Sequence, residues 1–376
     1  MRPLALGAPG VVSAFGIGVE AFDDAMRRGD KGFRAEVTAF AQPEGPLSVA
    51  EVANFDPRPV LGDKGLRNHD RITRLALVAA RRCLEAAAIK REGAFVAPFT
   101  GEAVGVVSAT AYASIEAVTE LDRVARLEDP RYLNPGRFPN TVTNSASGYV
   151  SIWEGLKAFN VAVTNGPTSG LDVFDAASMY LADGRAEAAL VGGVEALSEG
   201  LWRGFDRVGM LDRGDGKGAR LGEGAAFFAV ETLDRARRRG VTPGLVVSGY
   251  GSTFAAPDDT ARLVTPSAEA LREAIGLALE TAGCRADAVS LVIDGTNGYE
   301  AHDAVEAQAL GALLPGASRV SPKMALGETL GAAGSLALVE ARRRVAAGHR
   351  GPILVTALGY YGNASALVCQ GPENLA

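Results

Sequence analysis

Few residues in this 376-residue chain are equipped for covalent or metal chemistry, and their spacing restricts what that chemistry is. There are three cysteines, Cys83, Cys284 and Cys369, far apart in the sequence and with no close-pair spacing. That pattern fits neither a disulfide framework nor a thiolate zinc site and points to a reducing, cytoplasmic setting. Cys83 falls on the apolar face of a helical stretch and Cys369 at a strand end, so both read as core rather than as reactive thiols. His302, Asp303 and Glu306 have the types of a metal set. A His–Asp pair with Glu three positions on is more often the polar start of a helix, so neither a metal nor a cofactor is expected. His69 and His349 read as surface or capping residues.

The elements that must position these residues follow from periodicity. Helical patterns cover 69–89, 167–184, 266–284 and about 330–347, and strand-like runs cover 104–109, 160–164, 188–193, 289–294 and 352–358. Their alternation is that of a layered α/β protein. The elements also recur in order. VVSAFG (11–16) is echoed by VVSGYG (246–251), and helix 69–89 with VGVVSA by helix 266–284 with VSLVID. ADGRAEAALVGG (182–193) and AAGHRGPILVTA (346–357) each end a helix on Gly and then enter a buried strand. The expectation is an internal duplication, with one half over 1–240 and the other over 241–376. The first half carries an inserted segment at about 112–160.

Composition narrows the partners. The 44 acidic residues outnumber the 38 basic ones, for a net charge of −6, whereas a nucleic-acid or anionic-membrane binder needs a basic stripe. Arg237, Arg238 and Arg239 read as a solvated helix face. The N-terminal stretch lacks a charged region followed by a sustained apolar one, and no run of about 18 apolar residues offers a spanning helix.

Several stretches together resemble the ketosynthase branch of the thiolase fold: VTNGPTSGLDVFDAA, DGRAEAALVGGVEAL, RLGEGAAFFAVETLDRA, DGTNGYEAHDAVEAQAL, SPKMALGETLGAAGSLALVEA and LGYYGNASALV. The resemblance runs from about residue 9 to 369. It implies two similar βαβαβ halves stacked in five α-β-α-β-α layers, and a cysteine nucleophile with two histidines. This chain departs at all three. The family's Gly-Cys-Thr-Ser-Gly-Leu-Asp turn has Pro167 in the cysteine's place, Asp294-Gly295-Thr296 stands for His-Gly-Thr, and Gly327-Glu328-Thr329 stands for Gly-His-Thr. Lys323 keeps the position of the family's lysine.

A proline fits the first turn of a helix, where no amide proton is needed. It removes the thiol that a helix N-terminus would activate, and the N–H that the resemblance makes an oxyanion donor. Asp294 and Glu328 are then expected either to pair with Lys323 in the space of the imidazoles or to form a new acid–base pair. Tyr360 and Tyr361 replace part of a glycine-rich gate, and Tyr361 is expected to stiffen and plug the entrance.

A degenerate ketosynthase on an intact scaffold resembles the chain-length factor, the non-catalytic partner of an active ketosynthase in type II polyketide and polyene synthases. The resemblance implies a heterodimer with a ketosynthase, an acyl carrier protein reached through that complex, and a shared tunnel. Strand 160–164, with Asn160, Val161 and Val163, would be the cross-dimer edge. The segment 137–156, with Phe138, Asn144 and Tyr149, would reach across the interface. Tyr112, Ile115, Val118 and Thr119 fall at helical spacing where that family shapes its tunnel, and ordinary core packing accounts for the same spacing. Two other readings remain open: a rewired hydrolase or acyltransferase using Asp294 and Glu328, and a homodimeric acyl-binding module.

Overall fold

Each half of the chain builds the same five-stranded sheet. The computed structural model describes residues 1–41, 43, 47–257 and 263–374. The first half contributes β1 (Leu4–Ser13), β2 (Val104–Ala109), β3 (Asn160–Val163), β4 (Ala188–Glu195) and β5 (Gly224–Thr232). The second contributes β6 (Leu245–Phe254), β7 (Leu291–Ile293), β8 (Ser318–Val320), β9 (Ile353–Leu358) and β10 (Asn363–Gln370). The spatial orders are β3-β2-β4-β5-β1 and β8-β7-β9-β10-β6. In both, the first three strands are mutually parallel, the fourth runs antiparallel to them, and the fifth, antiparallel to the fourth, again runs with the first three.

The two sheets are stitched together where β1 meets β6, through Leu4–Val247, Ala5–Val246 and Leu6–Leu245. This short antiparallel ladder centres on Ala5 and Val246, so those two residues are equivalent in the duplication. VVSAFG and VVSGYG therefore lie on equivalent strands but about six residues out of register. The echo identified the right strands with the wrong alignment, because valine-rich strand ends look alike at any offset.

Helices fill three layers around the two sheets. α1 (Arg71–Ala86), α2 (Ile115–Leu127) and α3 (Ser145–Glu154) belong to the first half, with α1 and α3 packed on its outer face. α4 (Ser169–Ala182) and, in the second half, α8 (Ala333–Ala346) form the middle layer, sharing one core with strands of both sheets. α5 (Glu199–Arg207) packs near α2. α6 (Ala268–Ala282) and α7 (Glu300–Leu313) cover the second sheet. The order of layers is the five-layered one that the resemblance implies.

Local chemistry explains the equivalent starts and stops. α1 begins at Asp70, whose carboxylate accepts the Thr73 N–H, and α6 at Ser267, whose hydroxyl accepts the Ala270 N–H. Such caps satisfy otherwise orphaned donors. In the middle layer α4 and α8 approach so closely that a Cβ on Gly170 would sit 2.7 Å from the Gly334 nitrogen. Glycine is required there for contact.

Candidate functional site where the two middle helices begin

Both middle helices are entered through the same kind of turn. Gly166–Thr168 forms one turn of 3-10 helix ahead of α4, and Leu330–Ala332 forms one ahead of α8. Each opens on a left-handed residue, Gly166 at φ 66° and Leu330 at φ 47°. For leucine that conformation costs about 1–2 kcal/mol. The Glu328 carboxylate accepts the Leu330 N–H at 2.9 Å, which helps to hold it.

Pro167 is buried in the first turn, one residue into it. Its preset φ suits the turn, and it presents neither a hydrogen-bond donor nor a nucleophile. Around it the polar groups are tied to one another. Ser169 Oγ accepts the Asn165 N–H at 2.7 Å and donates to the Gly166 carbonyl. Asp172, buried below, accepts from Thr168, Asn165, Tyr250 and Ser365. The start of β10 is fastened to the turn by Asn363, whose amide donates to the Asn165 carbonyl and to Thr168 Oγ1.

Glu328 lies fully buried beside the second turn. It accepts from Lys323 Nζ at 2.8 Å, Asn297 Nδ2 at 2.7 Å and Tyr360 Oη at 2.8 Å. Burial pushes its carboxyl up, but the Lys323 charge and these hydrogen bonds prevail and hold it below its ordinary value of 4.5. The pairing with Lys323 is thus made by Glu328 alone. Asp294 instead accepts from Arg319 Nε at 2.8 Å, Ser321 Oγ and the Thr296 N–H. The two carboxylates share no hydrogen-bond partner.

The lysine's contribution can be measured. Lys323→Met leaves a buried, uncompensated carboxylate, a change expected to cost about 3–5 kcal/mol in denaturant unfolding at neutral pH. Because the folded value of Glu328 is depressed, its stabilisation is present above the unfolded carboxylate value and is lost as pH falls through the folded one. Below pH 4.5 the wild-type protein should therefore lose stability more steeply than Glu328→Gln.

The gate differs from expectation. Tyr360, not Tyr361, occupies the site: it is 8% exposed and bonded to Glu328, whereas Tyr361 is 41% exposed at the surface. Tyr360 is flanked by His302 at 5.2 Å and Phe205 at 5.8 Å between ring centroids, and Phe205 continues to Tyr112 at 6.4 Å. Burial and the charges of Glu195 and Glu328 raise the Tyr112 phenol. Ile115 packs in the same apolar cluster as Phe205 and Tyr360. Val118 and Thr119 are exposed further along α2, and the Thr119 hydroxyl is spent on the Ile115 and Glu116 carbonyls.

Other expectations divide. Phe138, Asn144 and Asn160 are exposed; Tyr149, Val161 and Val163 are half-buried; and β3 is the free edge of its sheet. His349 closes α8 through its N–H, as a capping residue does. His69 is not at the surface: it is buried, its ring 4.3 Å from Tyr149. His302 lies in the first turn of α7 and Glu306 at its middle, and both are fully buried. Nor is Arg239 solvated: it pairs with Glu231 and stacks on Phe99. Among the described residues no cluster of three metal-ligating side chains occurs, and no helix is long and apolar enough to cross a membrane. Cys83 and Cys369 are buried, as their patterns indicated.

Sequence reading missed Glu195, at the end of β4. It is 1% exposed and accepts from Thr110 Oγ1 and from the N–H groups of Ala111, Tyr112 and Gly331. Burial pushes it up to about 7. A charged residue closing an otherwise unbroken apolar strand, VGGVE, was the available signal.

The profile described as "Beta-ketoacyl synthase, N-terminal domain" matches residues 2–236, and "Beta-ketoacyl synthase, C-terminal domain" matches 245–352. The "3-oxoacyl-[acyl-carrier-protein] synthase 2" of Coxiella burnetii (strain RSA 493 / Nine Mile phase I) is 29% identical over 90% of this chain and 84% of its own length. "Putative polyketide beta-ketoacyl synthase 2" of Streptomyces halstedii is 30% identical over 87% and 81%. Among solved structures, "The ishigamide ketosynthase/chain length factor" superposes with a TM-score of 0.88 at 22% identity, covering 98% of this chain and 99% of that one. On these matches, which run through both halves of the duplication, the chain belongs to the beta-ketoacyl synthase family.

Proposed function

We propose that this chain is a condensation-silent member of its family that pairs with an active ketosynthase and shapes the acyl tunnel of the complex, as a chain-length factor does. Pro167 carries the reading. It is buried in the turn that leads into α4, the turn that resembles the family's nucleophile elbow, and it supplies neither thiol nor N–H. The clamp of Lys323, Asn297 and Tyr360 on Glu328 supports it, since a carboxylate so engaged has no free proton to exchange with a substrate. Asp294, tied to Arg319, adds no second group to that site.

In this reading 1–240 and 241–376 are the two halves of one subunit, and an acyl carrier protein reaches it through the ketosynthase. The family name of the Coxiella relative includes a carrier protein, which favours that route. The setting is cytoplasmic. A rewired enzyme built on Asp294 and Glu328 is disfavoured by their separate partners.

The test is expression alone and together with a neighbouring ketosynthase that has an intact Cys-His-His set. Light-scattering mass should give a one-to-one heterodimer after co-expression. A monomer or homodimer that ignores such a partner would remove the reading.

A further inference from the structure

Glu195 is a buried acid to which the proposed function gives no task. It closes β4 and is 1% exposed. The four groups that donate to it are all neutral. Thr110 Oγ1 and the Tyr112 N–H, each at 3.2 Å, reach one oxygen. The Ala111 N–H at 2.7 Å and the Gly331 N–H at 3.2 Å reach the other. An ionised carboxylate has about four acceptor sites, so these donors fill it. A buried charge is tolerated only when it is hydrogen-bonded in this way.

The donors belong to different halves of the duplication. Thr110, Ala111 and Tyr112 lie between β2 and α2, whereas Gly331 lies in the turn that leads into α8. The two segments touch backbone to backbone, since a Cβ on Gly331 would sit 2.4 Å from the Thr110 Cα. With no side chain between them, and one carboxylate bonded to both, a shift of either displaces the other.

The same turn is already tied to the gate. Leu330 donates its N–H to Glu328 Oε1, and Glu328 Oε2 accepts from Tyr360 Oη. A second path returns through the rings, from Tyr360 to Phe205 and from Phe205 to Tyr112. The contacts therefore close a circle that holds the gate tyrosine, the turn ahead of α8 and the start of α2. The ring contacts, at 5.8 and 6.4 Å between centroids, leave room to slide. Hydrogen bonds weaken steeply away from alignment, so Glu195 is the link that fixes position.

We infer that Glu195 is a positioning residue that locks the start of α2 to the Tyr360 gate, so that the two shift as one unit. That α2 borders the path of an acyl chain rests on the proposed function; the lock rests on these contacts alone. In the complex, the place of the wall at Tyr112 and Ile115 would then depend on the state of the gate.

Hydrogen exchange read by mass spectrometry on the full-length chain, over peptides covering 110–127 and 328–346, tests the lock. It is run at pH 8, above the Glu195 value of about 7. Glu195→Gln keeps the shape of the side chain but places an amide donor among N–H groups, and should speed exchange in both peptides at least tenfold. Tyr360→Phe removes only the hydroxyl that bonds Glu328 and Asn297. It should speed exchange at 110–127 in the wild-type background and add nothing there once Glu195 is Gln. That non-additivity is the mark of coupling rather than of a merely structural loss. Thr110→Val, which removes one donor and keeps the carboxylate, repeats the cycle in a milder background and should give the same sign. Additive effects, or faster exchange confined to one of the two peptides, would overturn the inference. In the complex with a ketosynthase, Glu195→Gln should also change the distribution of product lengths, not only the yield. Coupled exchange with unchanged lengths would uphold the lock and count against the tunnel reading. A heterodimer whose two peptides exchange independently would do the reverse.

Discussion

Pro167→Cys should yield a folded protein that still does not condense acyl thioesters. The substitution returns a thiol and an N–H to the turn ahead of α4, where Gly166 already supplies the left-handed residue. Two further requirements stay unmet. The positions that resemble the family's histidines hold Asp294, bound by Arg319, and Glu328, bound by Lys323. Neither is a neutral donor for a developing oxyanion, and a buried carboxylate nearby repels that charge. Missing donors cost about 10²–10³ each and a missing general acid–base about 10²–10⁴, so the variant should lie at least 10³-fold below an intact ketosynthase. Incubation with a carbon-labelled malonyl thioester and an acyl primer, followed by mass analysis of the product, reads this directly. Condensation at a rate comparable with an intact enzyme would show that the two carboxylates can do the histidines' work, and the silent reading would fall.

How far the site was legible depends on what kind of information each residue carries. The substitution at Pro167 was visible because a turn with fixed glycines frames it, and the helices were visible because apolar spacing and caps such as Asp70 and Ser267 are local. The duplication was legible in element order, yet the offset between β1 and β6 was not. Register there is set by the ladder at Ala5 and Val246, between residues far apart in the chain. Tyr360 and Tyr361 are adjacent, and one sequence does not say which turns inward; Glu328 and Asn297 decide it. His69 looked like a surface residue because its aromatic neighbours, Tyr149 and Trp153, arrive from another helix. Pairings across elements, rather than propensities within them, made the difference.

The second large effect is expected at the free edge of the first sheet. β3 is bonded on one side only, to β2. The Val106 N–H donates to the Phe159 carbonyl and the Thr110 N–H to the Val163 carbonyl. By the alternation along a strand, the main-chain groups of Asn160 and Ala162 therefore turn outward, unpaired, which is an open template for another strand. The Asn160 side chain is fastened to Ser147 and Ser151 of α3, so the edge is held rigid. Beside it Ile152 is 77% exposed, and Phe138 is 67% exposed on the segment leading to α3. Ala162→Pro removes the outward N–H and should abolish association with the ketosynthase partner while the folded core persists. Ile152→Asp, which leaves the ladder intact, should weaken association at least tenfold, about 1.4 kcal/mol. Leu277→Asp on α6, in the layer that covers the other sheet, should change nothing. Pull-down yields and sedimentation of the three variants give the comparison, with thermal unfolding to verify that each is folded. Should both edge variants bind the partner as the wild-type chain does, β3 is not the shared strand.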